Sequence, residues 1–258
     1  MGSALGMGFI VTIYNTVFFQ PLFNGLVWLI GIMPFHDLGL AIIAMTFIVR
    51  IVIFPFTHRS ITTQIKMKKI EPHIQKIRDQ FKNNQQEIAK KTMELYKEHG
   101  VSPFSGCLML AVQFPVLIAL YQVFINDIFA KSDFLYSFIS LPSDINALFL
   151  GTIALTEASI LFAFCAGFSQ FIQMRLALPP KKNEAPARKE NNIQKQLMSH
   201  AQYIFPVVVV FISLRFPSAL ALYWTTSNIF AILHEGIVRR KAKQYDHTEQ
   251  TGTSQTNT

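Results

Sequence analysis

The chain has 258 residues, of which 51% are hydrophobic, and its mean hydropathy is +0.32. This composition excludes an ordinary soluble domain and predicts a protein with several membrane spans. The net charge of +8 would suit a nucleic-acid-binding protein, but the positions of the basic residues favour a different interpretation.

The Lys and Arg residues are concentrated in three segments of the chain. Of the 23, ten lie in residues 59–97, six in 175–195 and four in 239–243, whereas the first 49 residues contain none. This alternation is typical of a multi-pass membrane protein whose basic loops face the cytoplasm. It predicts an external N-terminus and a cytoplasmic C-terminus. The small size and the lack of a transit peptide favour a bacterial plasma (inner) membrane, and no nucleic-acid specificity is expected.

The first segment, residues 1–37, is predicted to contain a helix at the outer membrane surface. Residues 9–33 are apolar, but Asn15, Gln20, Pro21 and Asn24 interrupt them. Polar residues and a central proline suit an interfacial helix, although a membrane-spanning helix stays open as the alternative. The first clear span follows at about 38–57.

Residues 58–102 are predicted to form a cytoplasmic helical hairpin. Its first half has an amphipathic pattern of apolar residues spaced three to five apart, namely Ile61, Ile65, Ile70, Ile74, Ile77 and Phe81. Asn83-Asn84 marks the turn, and Gly100 ends the second helix. The basic residues here suit a solvated face near anionic lipid.

Four further spans are predicted, which makes a five-helix transmembrane core over residues 38–238. The later spans cover about 103–124, 157–178, 201–214 and 218–238. Pro103 begins the second, and Thr156 is predicted to cap the third with Glu157 in its first turn at the outer interface; an intramembrane Glu157 is the alternative. The tail 239–258 is predicted to be a disordered cytoplasmic segment. The fold class is therefore all-α and polytopic.

Arg50 is the only ionised residue in the first predicted span, LGLAIIAMTFIVRIVIFPF. A charge at membrane depth is costly, and such residues usually face a water-filled cavity or a partner. The alternative is that Arg50 extends to the cytoplasmic surface from the end of its helix.

Uncharged polar residues lie in the other spans as well. Thr46 shares a helix face with Arg50, and Gln170 shares one with Gln173; Gln113, Thr225, Thr226, Ser227 and Asn228 are the others. Polar residues on several helices indicate a water-filled cavity in the bundle, with ordinary interhelical hydrogen bonding as the alternative. We find no catalytic, cofactor or metal signal, because His234-Glu235 lacks a second histidine at ligand spacing.

Several blocks of the chain, in order, resemble the YidC/Oxa family of membrane protein insertases over about residues 15–240. The blocks are TFIVR followed by FP, IKMKKIEPHIQKIRDQF, ELYKEHGVSP, GCLMLAVQFPVLIALY, SQFIQM and FPSALALYWTTSN. The chain departs from the family pattern at Ala219, where glycine is frequent, and at Arg215.

The resemblance implies a non-enzymatic insertase and chaperone that moves new membrane proteins into the bilayer without hydrolysing nucleotides. Its substrate-binding groove would be centred on Arg50 and lined by Thr46, Gln113, Gln173, Tyr223, Trp224, Ser227 and Asn228. The implied partners are nascent membrane proteins, the ribosome and membrane lipids, with no cofactor. Use of the Sec translocon stays open. The competing interpretations are a small-solute transporter with Arg50 as its anion site, and a structural membrane scaffold.

Overall fold

The computed structural model describes residues 2–81, 84–102, 105–125, 133–177 and 193–255, and helices dominate these ranges. In chain order the helices are α1 (Gly2–Tyr14), α2 (Gln20–Ile32), α3 (Leu38–Val52), α4 (Phe54–Gln80), α5 (Gln85–Glu98), α6 (Ser105–Ile125), α7 (Ile160–Ala177), α8 (Ile193–Ser213) and α9 (Ser218–Gln255). A π-helical turn, Asn15–Phe19, joins α1 to α2, and a 3₁₀ turn, Pro34–His36, precedes α3. The strands β1 (Leu148–Phe149) and β2 (Ile153–Ala154) form one short antiparallel pair.

The helices belong to two compact units. The first unit contains Met1–Val52 and Val112–Ile232, and the second contains Ile53–Ala111 and Leu233–Thr258. Within the described residues, Gly8–Ile32 and Ile160–Ala177 are long and apolar enough to cross a membrane. A third candidate span arises if α3 and α4 are counted together. The all-α membrane fold class is thereby supported.

The core of the first unit is built on α2 and α3. Phe23, Leu26 and Ile30 on α2 are fully buried and follow the three-to-four-residue spacing of one helix face. Ala41 and Ile42 on α3 belong to the same core. Buried residues of α6, α7, α8 and α9 also belong to it.

An irregular segment, 133–147, is attached to α2 through Asn24. The Asn24 side-chain amide donates to the carbonyl of Phe134 at 2.8 Å, and its Oδ1 accepts from the backbone N–H of Tyr136 at 2.7 Å. Asn24 is buried, so these bonds satisfy polar groups that would otherwise be costly. Leu135, Ile139 and Leu141 also pack against the core.

The second unit has a smaller core shared by α4 and α5. Ile70 and Ile74 on α4 are buried with Val101, and Leu95 and Tyr96 on α5 pack against them. These isoleucines are part of the predicted amphipathic pattern. Burial raises the pKa of the Tyr96 phenol.

Helix α5 begins and ends close to the turn residues that the sequence predicts. Asn84 caps this helix, because its Oδ1 accepts the backbone N–H of Glu87 at 3.1 Å. Gly100 has φ +58°, a conformation that glycine adopts readily. The other predicted turn residue, Asn83, lies outside the described residues.

The structure corrects the end of the first predicted span, because α3 ends at Val52 and not at residue 57. Pro55 lies in the first turn of α4 and has no N–H to continue the hydrogen-bond ladder of α3. The N–H groups of Phe56 and Thr57 bond instead to the carbonyl of Ile53, which opens the new helix.

The predicted cap at Thr156 is wrong, because α7 begins at Ile160. The carbonyl of Ser159 accepts the N–H of Ala163 at 2.9 Å, while the carbonyl of Glu157 accepts the N–H of Ser218 at 2.8 Å. The carbonyl of Leu155 likewise accepts the N–H of Ala219 at 3.1 Å, so residues 155 and 157 hold the start of α9, not that of α7. The Glu157 side chain is exposed and precedes α7, and its depth in the membrane stays a prediction.

The last two helices are longer than predicted. Helix α8 begins at Ile193, and α9 continues to Gln255 through the tail that the sequence predicts to be disordered. No proline follows Pro217, and Glu235 pairs with Arg239 four residues on, an arrangement that supports helix. Pro103 and residues 178–192 lie outside the described residues.

Helices α7 and α8 pack closely at Gly167. A Cβ atom on this glycine would overlap the Val210 side chain and lie 3.1 Å from the carbonyl oxygen of Pro206. We predict that Gly167→Ala destabilises the protein by about 1–3 kcal/mol through overpacking, measured as thermal unfolding in detergent. Gly8→Ala is the control, because nothing lies within 4 Å of its added Cβ. Equal stability of the two variants would contradict the close approach.

Candidate functional site

Arg50 lies inside the first unit and is 6% exposed. Its Nε and Nη2 atoms both donate to the Ser227 hydroxyl oxygen, at 2.9 and 2.5 Å. Among the described residues no carboxylate forms an ion pair with it. The side chain is therefore turned into the bundle, which argues against the surface-reaching alternative.

A hydrogen-bonded group, here called the arginine cluster, surrounds this guanidinium: Arg50, Gln113, Tyr223 and Ser227. Gln113 on α6 donates through Nε2 to the Tyr223 hydroxyl at 2.7 Å. Tyr223 also hydrogen-bonds Ser227. Tyr223 and Ser227 are four residues apart and share one face of α9, so three helices contribute to one polar group.

A second group, here called the glutamine cluster, joins the next face of α9 to α7: Ser169, Gln170, Gln173, Trp224 and Asn228. The Trp224 indole donates to Gln170 Oε1 at 2.8 Å, and Gln170 Nε2 donates to Gln173 Oε1 at 3.2 Å. Asn228 Nδ2 donates to the Ser169 hydroxyl at 3.1 Å. Trp224 and Asn228 are also four residues apart. Each directly follows a member of the arginine cluster, Tyr223 or Ser227, in the sequence.

The predicted site residues are thus found in two groups, with one exception. Thr46 is buried on the same helix as Arg50, but its hydroxyl donates to the carbonyl of Ile42 at 2.7 Å. It is satisfied within its own helix, and its role in a groove stays a prediction. Ser169 was missed by the sequence reasoning, although it directly precedes the Gln170–Gln173 stripe that signalled this face.

The chemistry available at Arg50 is recognition of an anion. A guanidinium has five N–H donors, and Ser227 engages one edge of it through Nε and Nη2. Hydroxyls and amides solvate a cation without neutralising it, so the positive charge persists in a buried place. A carboxylate that reached Arg50 would form a strong, charge-assisted hydrogen bond.

The second unit contains another buried charge, on Glu235. Its Oε1 accepts from Arg239 Nε at 2.9 Å and Nη2 at 2.5 Å. The neighbouring His234 ring stacks on Phe54, with centroids 4.3 Å apart, and its Nε2 is 3.3 Å from His58 Nδ1. Within the described ranges no cluster of three or more residues could hold a metal ion.

Lys68 on α4 belongs to the same charged neighbourhood. Burial lowers the pKa of Lys68 to about 8, with repulsion by Arg239 as a further cause, while Glu235 opposes the shift. The amine therefore still carries its charge for the most part at pH 7, but it loses the proton at a lower pH than an exposed lysine does.

These features define a class: a helical membrane protein whose interior carries an arginine bonded to a serine hydroxyl. A family model described as 60Kd inner membrane protein matches residues 28–246. The chain therefore belongs to the YidC/Oxa family, as the sequence blocks indicated, and is a multi-pass protein of the bacterial inner membrane.

Similar proteins carry the description "Membrane protein insertase YidC". One from Fusobacterium nucleatum is 32% identical over 206 residues, covering 80% of this chain and 87% of that protein. One from Clostridium tetani is 32% identical over 211 residues, covering 82% and 85%. One from Wolinella succinogenes is 30% identical over 227 residues, covering 88% of this chain but 38% of that longer protein.

The bond between Arg50 and Ser227 can be measured with a double-mutant cycle. We predict that Ser227→Ala destabilises the protein by about 1–3 kcal/mol, because guanidinium N–H groups lose a buried acceptor. In an Arg50→Met background the same substitution should cost much less. Unfolding in detergent gives both values, and additive effects would contradict a direct interaction.

The depressed pKa of Lys68 predicts an early loss of its proton. We expect acylation of Lys68, followed by mass spectrometry, to rise with a midpoint near pH 8 and not near the ordinary value of 10.5. Arg239→Gln should raise the midpoint and Glu235→Gln should lower it, because they remove a repulsion and an attraction respectively. Stability should rise between about pH 8 and 10.5, because the unfolded chain binds more protons there. An ordinary midpoint, unchanged in both variants, would contradict the burial of Lys68.

Proposed function

We propose that this protein is an insertase that moves newly made membrane proteins from the cytoplasm into the lipid bilayer. The observation that carries the proposal is Arg50, a buried cation bonded to Ser227 with no carboxylate partner among the described residues. The names of its relatives support the same activity. No nucleotide hydrolysis is part of the proposal.

Arg50 attracts the acidic residues that precede or flank the apolar segment of an incoming chain. Attraction between opposite charges is several-fold stronger in a low-dielectric interior than in water. Ser227 holds the Nε edge of the guanidinium, which leaves the remaining N–H groups on Nη1 and Nη2 to receive a carboxylate in a fixed orientation. The bond to substrate is temporary, because the Ser227 hydroxyl stays in place to solvate Arg50 afterwards.

The substrate's apolar segment then leaves past α3 and α9 into lipid. Burial of apolar surface away from water favours this step by about 25 cal/mol per Å². The glutamine cluster on the neighbouring face of α9 supplies further hydrogen-bonding groups to polar backbone in transit, with Gln173, Trp224 and Asn228 as contacts. Thr46, Gln113 and Tyr223 complete the proposed groove.

We assign α3, α6, α7, α8 and the first half of α9 to the five-helix core, and α4–α5 to a cytoplasmic hairpin. Helix α2 lies at the outer surface in this arrangement. Asn24 bonds it to the irregular segment 133–147, and irregular backbone is not tolerated against lipid in the hydrocarbon region. The length of Gly8–Ile32 alone would suit a span.

The proposed partners are nascent membrane proteins, the ribosome and membrane lipids, and use of the Sec translocon stays open. The basic residues in 59–97 and 239–243 support a cytoplasmic hairpin and a cytoplasmic C-terminus, on the side where chains emerge from ribosomes. The N-terminus is then outside.

We predict that Arg50→Ala reduces insertion of single-span substrates with acidic translocated tails, whereas Arg50→Lys largely retains it because the charge is kept. Insertion into proteoliposomes, scored by protease protection, measures both. A substrate with a neutral tail is the matched control and should respond much less. Equal insertion of the acidic substrate by wild type and Arg50→Ala would remove Arg50 from the mechanism.

Site-specific photo-crosslinking separates an insertase from the competing classes. Gln113 is a better probe position than Thr46, because it is half-buried and Thr46 is fully enclosed. With a ribosome stalled on a single-span protein, we expect a crosslink from Gln113 and none from Phe164, an exposed residue on α7. Solute flux through the same proteoliposomes without a crosslink would favour a transporter.

A further inference from the structure

Two bulky apolar residues occupy left-handed turn positions at one end of the first unit. Phe35, between α2 and α3, has φ +57°, and Leu150, between β1 and β2, has φ +50°. Glycine or asparagine is usual there, because a large side chain is strained in this conformation. Both side chains are also widely exposed, at 90% and 67%.

One hydrogen-bonded frame holds both of these turns. The Asp37 carboxylate accepts the backbone N–H of Leu40 at 2.9 Å through Oδ1 and that of Leu150 at 3.3 Å through Oδ2. Asn146 donates its N–H to the carbonyl of His36 at 3.1 Å and accepts the N–H of Leu38 at 3.0 Å. Asp37 is buried, so the frame is a built part of the fold.

A third apolar tip projects from the irregular segment attached to α2. Phe138 is 81% exposed and lies in a turn closed by the bond from Ile139 N–H to the carbonyl of Tyr136, at 2.9 Å. Its ring stacks on Tyr136, with centroids 5.4 Å apart. An aromatic pair with one polar hydroxyl is typical of residues at a membrane surface.

We infer that Phe35, Phe138 and Leu150 are membrane anchors that insert into the boundary between headgroups and acyl chains of the outer leaflet. The inference uses the orientation proposed above but does not depend on insertase activity. The frame keeps these apolar side chains exposed in strained turns, and lipid around them would account for that exposure. Trp28 and Ile32 on α2 are exposed apolar residues as well and continue the same surface.

The loops around these three residues carry net negative charge, which favours contact with the apolar tails of lipids over contact with anionic headgroups. Residues 132–174 and 1–49 contain no Lys or Arg, and the exposed Arg215 between α8 and α9 is outnumbered at this end by Asp37, Asp133, Asp144 and Glu157. Loops with this net negative charge gain little from anionic headgroups. The anchors should therefore insert into a purely zwitterionic bilayer.

Spin labels test the inference in the full-length protein with Cys107 and Cys165 replaced by alanine. One label at a time is placed at residue 35, 138 or 150, with residues 143 and 152 as exposed polar controls in the same loops. The protein is reconstituted in phosphatidylcholine vesicles, and collision rates with oxygen and with a water-soluble nickel complex are measured.

We expect the three tip labels to show a ratio of oxygen to nickel accessibility several-fold higher than the two controls. Equal ratios at tips and controls would place the tips in water and overturn the inference. Shielding of the tip labels from both reagents would show that protein covers them, for example a second copy, and would overturn it as well. Because substrate is not needed, failure of this test and failure of the insertase proposal are distinguishable.

Discussion

The burial of Arg50 constrains the helices around it. Removing a guanidinium from water costs several kcal/mol unless other groups solvate it, and Ser227 supplies the acceptor from a residue 177 positions away. Tyr223 and Gln113 continue that network to α6. These hydrogen bonds fix the positions of α3, α6 and α9 relative to one another. Apolar packing alone would specify those positions less closely.

Helix α9 connects the two polar groups of this interior. Its successive residues Tyr223 and Trp224 lie about 100° apart around the axis, and each is followed by a polar residue four positions on. One face meets the cation and the other meets α7. In the proposed mechanism, a substrate that passes this helix would meet a fixed positive charge and, beside it, uncharged amides that can bond to backbone without holding it.

The sequence predicts the depth of Arg50 and the polar stripes, because helical periodicity places i and i+4 on one face. It does not predict which polar stripes contact one another, because the pairing of helices that are distant in sequence depends on tertiary packing. The start of α7 shows a second limit: Thr156 has the side chain of a cap, but the carbonyl of Glu157 binds the start of α9. Pro55 carried a readable signal for the end of α3, because proline cannot continue the ladder.

The same bonding rule applies to the irregular segments of the first unit. Polar backbone that leaves helical geometry needs partners, and in segment 133–147 Asn24 supplies them from α2. In the turn at Leu150 the Asp37 carboxylate does so. Asn24 is a polar residue within an apolar helix, and Asp37 directly precedes α3. Each is buried, and each uses its side chain to satisfy backbone groups that no helix or strand satisfies, so two polar residues in an otherwise apolar neighbourhood make these irregular segments part of the fold.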